Sequence, residues 1–234
     1  MAPHPPMRAL VCGVGRVITG ESILNFVLRN LGQPQARQVI YDGLAARAGD
    51  DADAWVEAGV LDKIDAMAGC PLDAADTILR GLALTPGFAD LVDWCGREHM
   101  PVLLCGPVPR QFTELLLRRY RWTHVRVAGS ELRIADGRIA GVETVCTPSR
   151  KREHVAGWMA HHGLDAAQCW AIGDASGDRD MLRMVPWPNR VSFGVGAMEA
   201  LERQATPVAF TGGMEALLRH VQARTHVAAH DNFS

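Results

Sequence analysis

The chain is poor in aromatic residues, with two Tyr and only 6% Phe, Trp and Tyr together in 234 residues, and no apolar run is long enough to span a bilayer. A formal net charge of -2 supplies no basic excess for a broad nucleic-acid-binding surface. The six cysteines (Cys12, Cys70, Cys95, Cys105, Cys146 and Cys169) form no Cys-x-x-Cys pair, so reduced thiols are expected rather than zinc or disulfides. The nine His are scattered as well, and His161-His162 reads as a solvated pair at a helix C-terminus. Internal repeats and low-complexity linkers are missing. Met1 to Met7 is rich in Pro and has no apolar signal core. This predicts a short flexible lead-in and a cytoplasmic protein with neither nucleic acid nor membrane as partner.

What is present is a globular composition, 48% hydrophobic and 21% charged. Arg8 to Gly13 reads as a short apolar strand ending in Gly13-Val14-Gly15, two glycines that permit a tight turn, without the third Gly of a dinucleotide fingerprint. Ser22 is placed to cap a helix over 23–31. From about Pro34 to Leu84 the chain reads as three or four short helices, with Val56, Val60, Ile64 and Met67 at helical spacing. Thr85-Pro86-Gly87 opens a helix over 88–99, and 101–105 reads as a second buried strand. Gly106-Pro107-Val108-Pro109 reads as a turn into a helix over 111–120. A strand is expected at 124–128, and Glu131 to Gly141 alternates around Asp136-Gly137 as a β-hairpin does. Ser149 to Arg152 opens a helix over 153–162. Strands are expected at 190–193 and 207–210, a last helix over 213–223, and a mobile tail from Thr225 to Ser234. Strands alternating with helices imply an α/β fold, a doubly wound parallel sheet. The helical stretch after the first strand is a plausible cap over a site, or a cover for one sheet face.

The most informative stretch is Trp170 to Leu182. A short apolar strand ends in Gly173-Asp174, a second carboxylate follows at Asp178, and a helical pattern resumes. Two carboxylates at the C-terminal end of a parallel strand stand where such sheets place ligands, and they suit a hard cation such as Mg²⁺. The alternative is a polar loop in which Asp178 caps the next helix.

The order of these parts resembles the haloacid dehalogenase (HAD) superfamily, and within it the phosphoserine phosphatase-like branch with a helical cap after the first strand. Gly173-Asp174-x-x-x-Asp178-x-x-Met181-Leu182 is similar to the family's fourth motif. Lys151 at a helix start resembles its third-motif Lys, Leu84 to Gly87 through Leu104-Cys105-Gly106 its Pro-Gly helix and second motif, and Val11 to Ser22 its first. The resemblance implies a Rossmannoid core over 8–22 and 84–222, a cap over 23–83, flexible ends at 1–7 and 225–234, and Mg²⁺-dependent phosphomonoester hydrolysis.

The first motif departs from the pattern. The family reads Asp-x-Asp-x-[Thr/Val]-x-Thr, the first Asp a nucleophile and metal ligand, the second the general acid and base. This chain has Gly13 and Gly15 there, with Thr19 kept, and Cys105 replaces the phosphate-contacting Ser or Thr. Without a carboxylate at 13 no phosphoaspartyl intermediate forms, and without one at 15 general acid-base help, typically worth about 10²–10⁴-fold, is gone. Asp174 and Asp178 are left as a weakened Mg²⁺ site or none. Gly13, Gly15, Arg16, Thr19, Gly106 and Lys151 could still surround a phosphate-sized anion, with Arg16 where the metal would sit or else facing solvent. A Lys151–Asp174 ion pair that only supports the fold is the plainer alternative. Glu21 stands near the place of a substrate-contacting Glu. The cap alignment puts Trp55 at an aromatic and Asp62 where an Arg would hold the substrate carboxylate, so phosphoserine fits poorly. Cys105, beside Lys151, is a nucleophile candidate against a packing role. Three functions follow. The first is a pseudophosphatase that binds a phosphorylated or anionic metabolite or a protein partner. The second is an enzyme of a specialised pathway using Asp174, Asp178, Lys151 or Cys105 for other chemistry. The third is a Mg²⁺ phosphatase with a displaced nucleophile. Exposed apolar cap helices would be compatible with a homodimer.

Overall fold

Period-two alternation in three central strands sorts their side chains onto two faces of one sheet. From β1 (Ala9–Gly13), β2 (Val102–Pro109) and β5 (Cys169–Gly173), the residues Leu10, Cys12, Leu104, Trp170 and Ile172 face one hydrophobic core. Ala9, Val11, Leu103, Cys105 and Ala171 face the other. The computed structural model describes residues 7–32, 51–174, 176–193 and 213–230. The first core is covered by α2 (Ile23–Asn30), α5 (Phe88–Arg97), α6 (Arg110–Leu117) and α9 (Gly213–His230). The second is covered by α7 (Pro148–His161) and the short α8 (Arg179–Arg183).

Among the described residues six strands run in the order β4-β3-β2-β1-β5-β6, with β3 (Val125–Ala135) and β6 (Arg190–Ser192) parallel to their inner neighbours and β4 (Arg138–Thr144) antiparallel to β3. This is the expected α/β fold. The chain builds outward from β1 to β4 on one side and then returns to β5 on the other, so the topological switch lies between β1 and β5. The loops after Gly13 and Gly173 diverge there and leave a crevice at the strands' C-terminal ends.

The chain leaves the sheet after β1 through a single helical turn, α1 (Gly15–Ile18), and returns before β2. Between them lie α2, α3 (Ala52–Asp65) and α4 (Leu72–Arg80). The two ends of this excursion are stitched together. Thr19 bridges Leu84, and Thr85 donates from its N–H to Ile18 O (2.9 Å) and from its hydroxyl to Val17 O (2.9 Å). The far side is tied to the β3–β4 hairpin. Gly69 N–H donates to Ile139 O (2.8 Å), Ile139 N–H to Cys70 O (2.9 Å), Leu72 N–H to Gly137 O (2.9 Å) and Arg138 Nη1 to Gly69 O (2.7 Å). A third tie runs from α3 to the start of α7, where Ser149 N–H donates to Asp53 Oδ1 (3.1 Å).

Local signals account for the element ends. Ser22, Asp51 and Thr147 each accept a backbone N–H of the helix that follows, and Pro148 takes the first turn of α7. Asp136 and Gly137 both adopt positive φ (48° and 72°), as a two-residue hairpin turn requires. All six cysteines are free thiols.

Several expectations need correction. Gly106 to Pro109 is not a turn, because β2 continues to Pro109. Pro107 and Pro109 lack ladder donors, and they shift the register with β3 between Cys105 and Pro109 without ending the strand. The expected strand at 124–128 and the first hairpin arm are one strand, β3. The helix expected from 153 begins at Pro148, and the last helix extends to His230 through most of the tail read as mobile. The expected strand at 207–210, the helical reading of 34–50 and the lead-in at 1–6 lie outside the described residues. Among the described residues no helix is long and apolar enough to cross a membrane.

The ties from the helical excursion to the hairpin make its opening costly. Native-state hydrogen exchange should show the Gly69, Leu72 and Ile139 amides protected about as strongly as those of β1. Exchange faster by orders of magnitude would mean that the excursion swings free.

Candidate functional site

The crevice at the switch point is a cleft of about 420 Å³. Its floor carries Gly15, Arg16, Lys151, Asp174 and Asp178, and one wall is the α3 face made by Trp55, Val56, Gly59, Val60 and Lys63. Those five positions recur at three- to four-residue spacing, so one helical stripe meets the cleft.

Asp178 sits at the bottom and is almost wholly buried. Its side chain occupies a hole walled by two glycines. A Cβ on Gly13 would lie 3.1 Å from both Asp178 carboxylate oxygens, and a Cβ on Gly173 would lie 2.5 Å from Asp178 Cβ. The space left by the missing side chain at 13 is therefore filled by Asp178. One Asp178 oxygen accepts the Nζ of Lys151, itself 4% exposed, and the other accepts the Asp174 N–H (2.9 Å). Burial works to lower the Lys151 pKa, but the adjacent Asp178 carboxylate overrides it and the net shift is upward.

Asp174 pairs with a different cation. Its Oδ2 accepts Arg16 Nε at 2.9 Å, with the Arg16 side chain 61% exposed and that of Asp174 only 10%. Burial first, and then the charge of Asp178, raise the Asp174 pKa, and Arg16 and Lys151 pull it part of the way back. In place of the alternative Lys151–Asp174 pair the structure has two pairs, Lys151–Asp178 and Arg16–Asp174. Arg16 is paired, and its side chain still remains largely exposed.

The other expected residues divide. Glu21 lines the cleft, yet its carboxylate is held by both terminal nitrogens of Arg29 (2.9 and 3.1 Å). Thr19 is buried and donates to Glu21 O (2.7 Å), so its hydroxyl serves the backbone rather than a phosphate. Gly106 allows close approach to Val14, whose Cβ would be 3.2 Å from an added Cβ, and Pro107 and Val108 line the cleft instead. Cys105 is buried with its thiol 3.9 Å from Lys151 O. A hydrogen bond with Cys146 and burial both push its pKa up, which removes it as a thiolate nucleophile. Asp62 does not line the cleft, whereas Lys63 beside it does.

Sequence reading overlooked Cys146. It lines the cleft just ahead of α7, and its thiol is pushed down, first by the hydrogen bond from Cys105 and then, against burial, by Lys151 and Arg150. Only its position two residues before a Pro-initiated helix could have marked it, and that signal is faint. Asn25, three residues past the Ser22 cap, also lines the cleft and leaves its Oδ1 buried without a hydrogen bond.

Comparison with known proteins places the chain. The model of the haloacid dehalogenase-like hydrolase family matches residues 13–183, and the chain belongs to that family. A probable phosphoserine phosphatase from Vibrio cholerae superposes with a TM-score of 0.76 at 14% identity, over 98% of this chain and 69% of that one. A HAD family hydrolase from Salmonella enterica serovar Typhi gives 0.72 at 14% identity (86% and 67%). A substrate-bound phosphoserine phosphatase gives 0.70 at 14% identity (86% and 91%). No curated protein matches by sequence.

Mg²⁺, which the family implies, does not fit the donor set. Both oxygens of Asp178 are taken by Lys151 and a backbone N–H, one oxygen of Asp174 is taken by Arg16, and positions 13 and 15 carry no side chain. Among the described residues no cluster of three or more His, Cys, Asp or Glu could hold a metal. An octahedral cation would have one open carboxylate oxygen and two cationic neighbours.

Lys151→Met should cost about 3–5 kcal/mol in urea denaturation, because the buried Asp178 carboxylate loses its lysine partner. The pH dependence follows from the raised Lys151 pKa. The pair's contribution is complete below the ordinary lysine value of 10.5 and is lost as pH rises through the higher folded value. Thermal unfolding across the alkaline range should show this loss in the natural protein and lack it in the variant.

Proposed function

We propose that this member of the HAD-like hydrolase family is a pseudophosphatase: a non-hydrolytic receptor for a small phosphorylated or otherwise anionic metabolite in the cleft under α3. The observation that carries the reading is Asp178 packed over Gly13. A Cβ added at 13 would press on a carboxylate already committed to Lys151. An aspartyl nucleophile and its acid-base partner have no counterpart at 13 and 15, and a covalent phosphoryl intermediate needs the first of them. The relatives' phosphoserine phosphatase character supports phosphate as the head-group class. Glu21 is already paired with Arg29, and the wall offers Trp55, Val56, Val60 and Lys63, which favours a ligand with an apolar part next to its anion.

A second reading, non-phosphatase chemistry in the same cleft, rests on Cys146. That thiol lines the cleft next to Lys151 with its pKa lowered, although it is only 1% exposed. Alkylation by a small electrophile that labels Cys146 faster than the other five cysteines would favour it.

The test of the main reading is a phosphomonoester panel at high protein concentration with Mg²⁺, paired with thermal shift against the same compounds. Ligand-dependent stabilisation without phosphate release is expected. Release that disappears in Asp174→Ala would refute the reading. Gly13→Asp should not create activity. The new Cβ meets Asp178 at 3.1 Å and adds a like charge, so unfolding should be easier by about 1–3 kcal/mol.

A further inference from the structure

We infer that Arg16 and Lys151 together stand in for a divalent cation, so that the cleft takes its oxyanion without metal, on the terminal nitrogens of an Arg16 guanidinium held in place by Asp174. The inference rests on the reading of the cleft as an anion receptor and adds to it how the anion is held.

The charges close on themselves. Asp174 and Asp178 contribute two negative charges, and Arg16 and Lys151 contribute two positive ones at hydrogen-bonding distance. A divalent cation beside either carboxylate would also face an ammonium or a guanidinium. The two protein cations cancel the pull of the two carboxylates on it, and on the described floor one carboxylate oxygen is left open.

The guanidinium is built to receive rather than only to neutralise. Arg16 donates to Asp174 through Nε alone, and among the described residues no hydrogen bond from its terminal nitrogens is seen. Its side chain is 61% exposed and lies on the cleft lining. A planar guanidinium fixed by its Nε edge presents its remaining N–H groups as a fork, which matches two oxygens of a phosphate and not a spherical halide. Asp174 is then a positioning residue. It holds the Arg16 plane and cancels one of the positive charges, so the cleft attracts an anion by geometry more than by net charge. Lys151 does not reach for the ligand. It keeps Asp178 neutralised, and without it the floor would repel the anion.

Titration calorimetry with inorganic phosphate and with phenyl phosphate, first in EDTA-treated buffer and then with saturating Mg²⁺, tests this. The two affinities should agree within about twofold. Arg16→Gln should weaken binding by about 10- to 100-fold, the range of a lost charge-assisted hydrogen bond, and leave the melting temperature near that of the natural protein because the side chain is exposed. Arg16→Lys, which keeps the charge and loses the fork, should fall between. Asp174→Asn keeps an acceptor for Nε and should retain more affinity than Asp174→Ala. Mn²⁺ added as a paramagnetic probe should show no binding that depends on Asp174. Anion binding seen only with Mg²⁺, Asp174-dependent Mn²⁺ binding, or unchanged affinity in Arg16→Gln overturns the inference and leaves the anion-receptor reading standing. Absence of anion binding under both conditions overturns that reading and the inference with it.

Discussion

A lysine and an aspartate that are both almost wholly buried hold each other in place, because either charge left alone in that environment would cost several kcal/mol. Lys151 and Asp178 are such a pair, and three parts of the fold are fixed around them. Lys151 comes from the first turn of α7, and its N–H bonds back to the Thr147 carbonyl. Asp178 comes from the loop after β5 and reaches back to accept the Asp174 N–H, which curls that loop over the strand end. The Asp178 carboxylate packs against the glycines that end β1 and β5, a Cβ at 173 colliding with Asp178 and one at 13 pressing on its carboxylate oxygens. The glycine at 13 therefore eases the packing of this ion pair, as well as lacking a side chain.

The helical excursion follows from the same arrangement. It starts from the loop that leaves Gly13 and ends at Leu84, stitched to its own beginning. Its outer end is joined to the β3–β4 hairpin, and α3 reaches the Thr147–Ser149 corner through Asp53. Burial works to raise the Asp53 pKa, but hydrogen bonds from Ser149 and Thr147 win, and the carboxylate is held below its ordinary value. That contact is present above the ordinary aspartate range and weakens as pH falls through the folded value. The wall bearing Trp55 and Val60 thus faces a fixed floor, and the cleft's shape belongs to the resting protein.

Much of this was legible in the sequence. Short apolar runs placed β1, β5 and the first half of β2, Asp136-Gly137 placed the hairpin, and Gly173-Asp174 with Asp178 marked the floor. The pairing of charges was not legible. The spacing of Lys151 from the two carboxylates does not say which it meets, and the loop that curls Asp178 back onto the Asp174 N–H is a contact made in space. Thr19 kept its identity but turned its hydroxyl to Glu21 O, a choice made by the stitch between Thr19 and Leu84 that no local pattern encodes. Pro107 and Pro109 read as a turn because local chemistry cannot show that Ser130 from the neighbouring strand holds Pro107 O in the sheet. Cys146 was passed over because its surroundings, Cys105 on β2 and Lys151 on α7, meet only in space.

The surviving carboxylates carry one more consequence. In a metal-dependent site Asp174 and Asp178 would be held to their loop by the cation. Here each is held by a cation of the protein itself, and each in turn holds that cation. Replacing Asp178 by a neutral residue would strand the buried Lys151 ammonium, and replacing Asp174 would release the Arg16 guanidinium from its plane. The fourth-motif residues are therefore needed for folding and for the order of the cleft whether or not any phosphate is cleaved. An intact Gly-Asp-x-x-x-Asp loop identifies the fold and the place where ligands go. Whether chemistry happens there depends on what stands opposite it, and opposite it stand Gly13, Gly15 and Arg16.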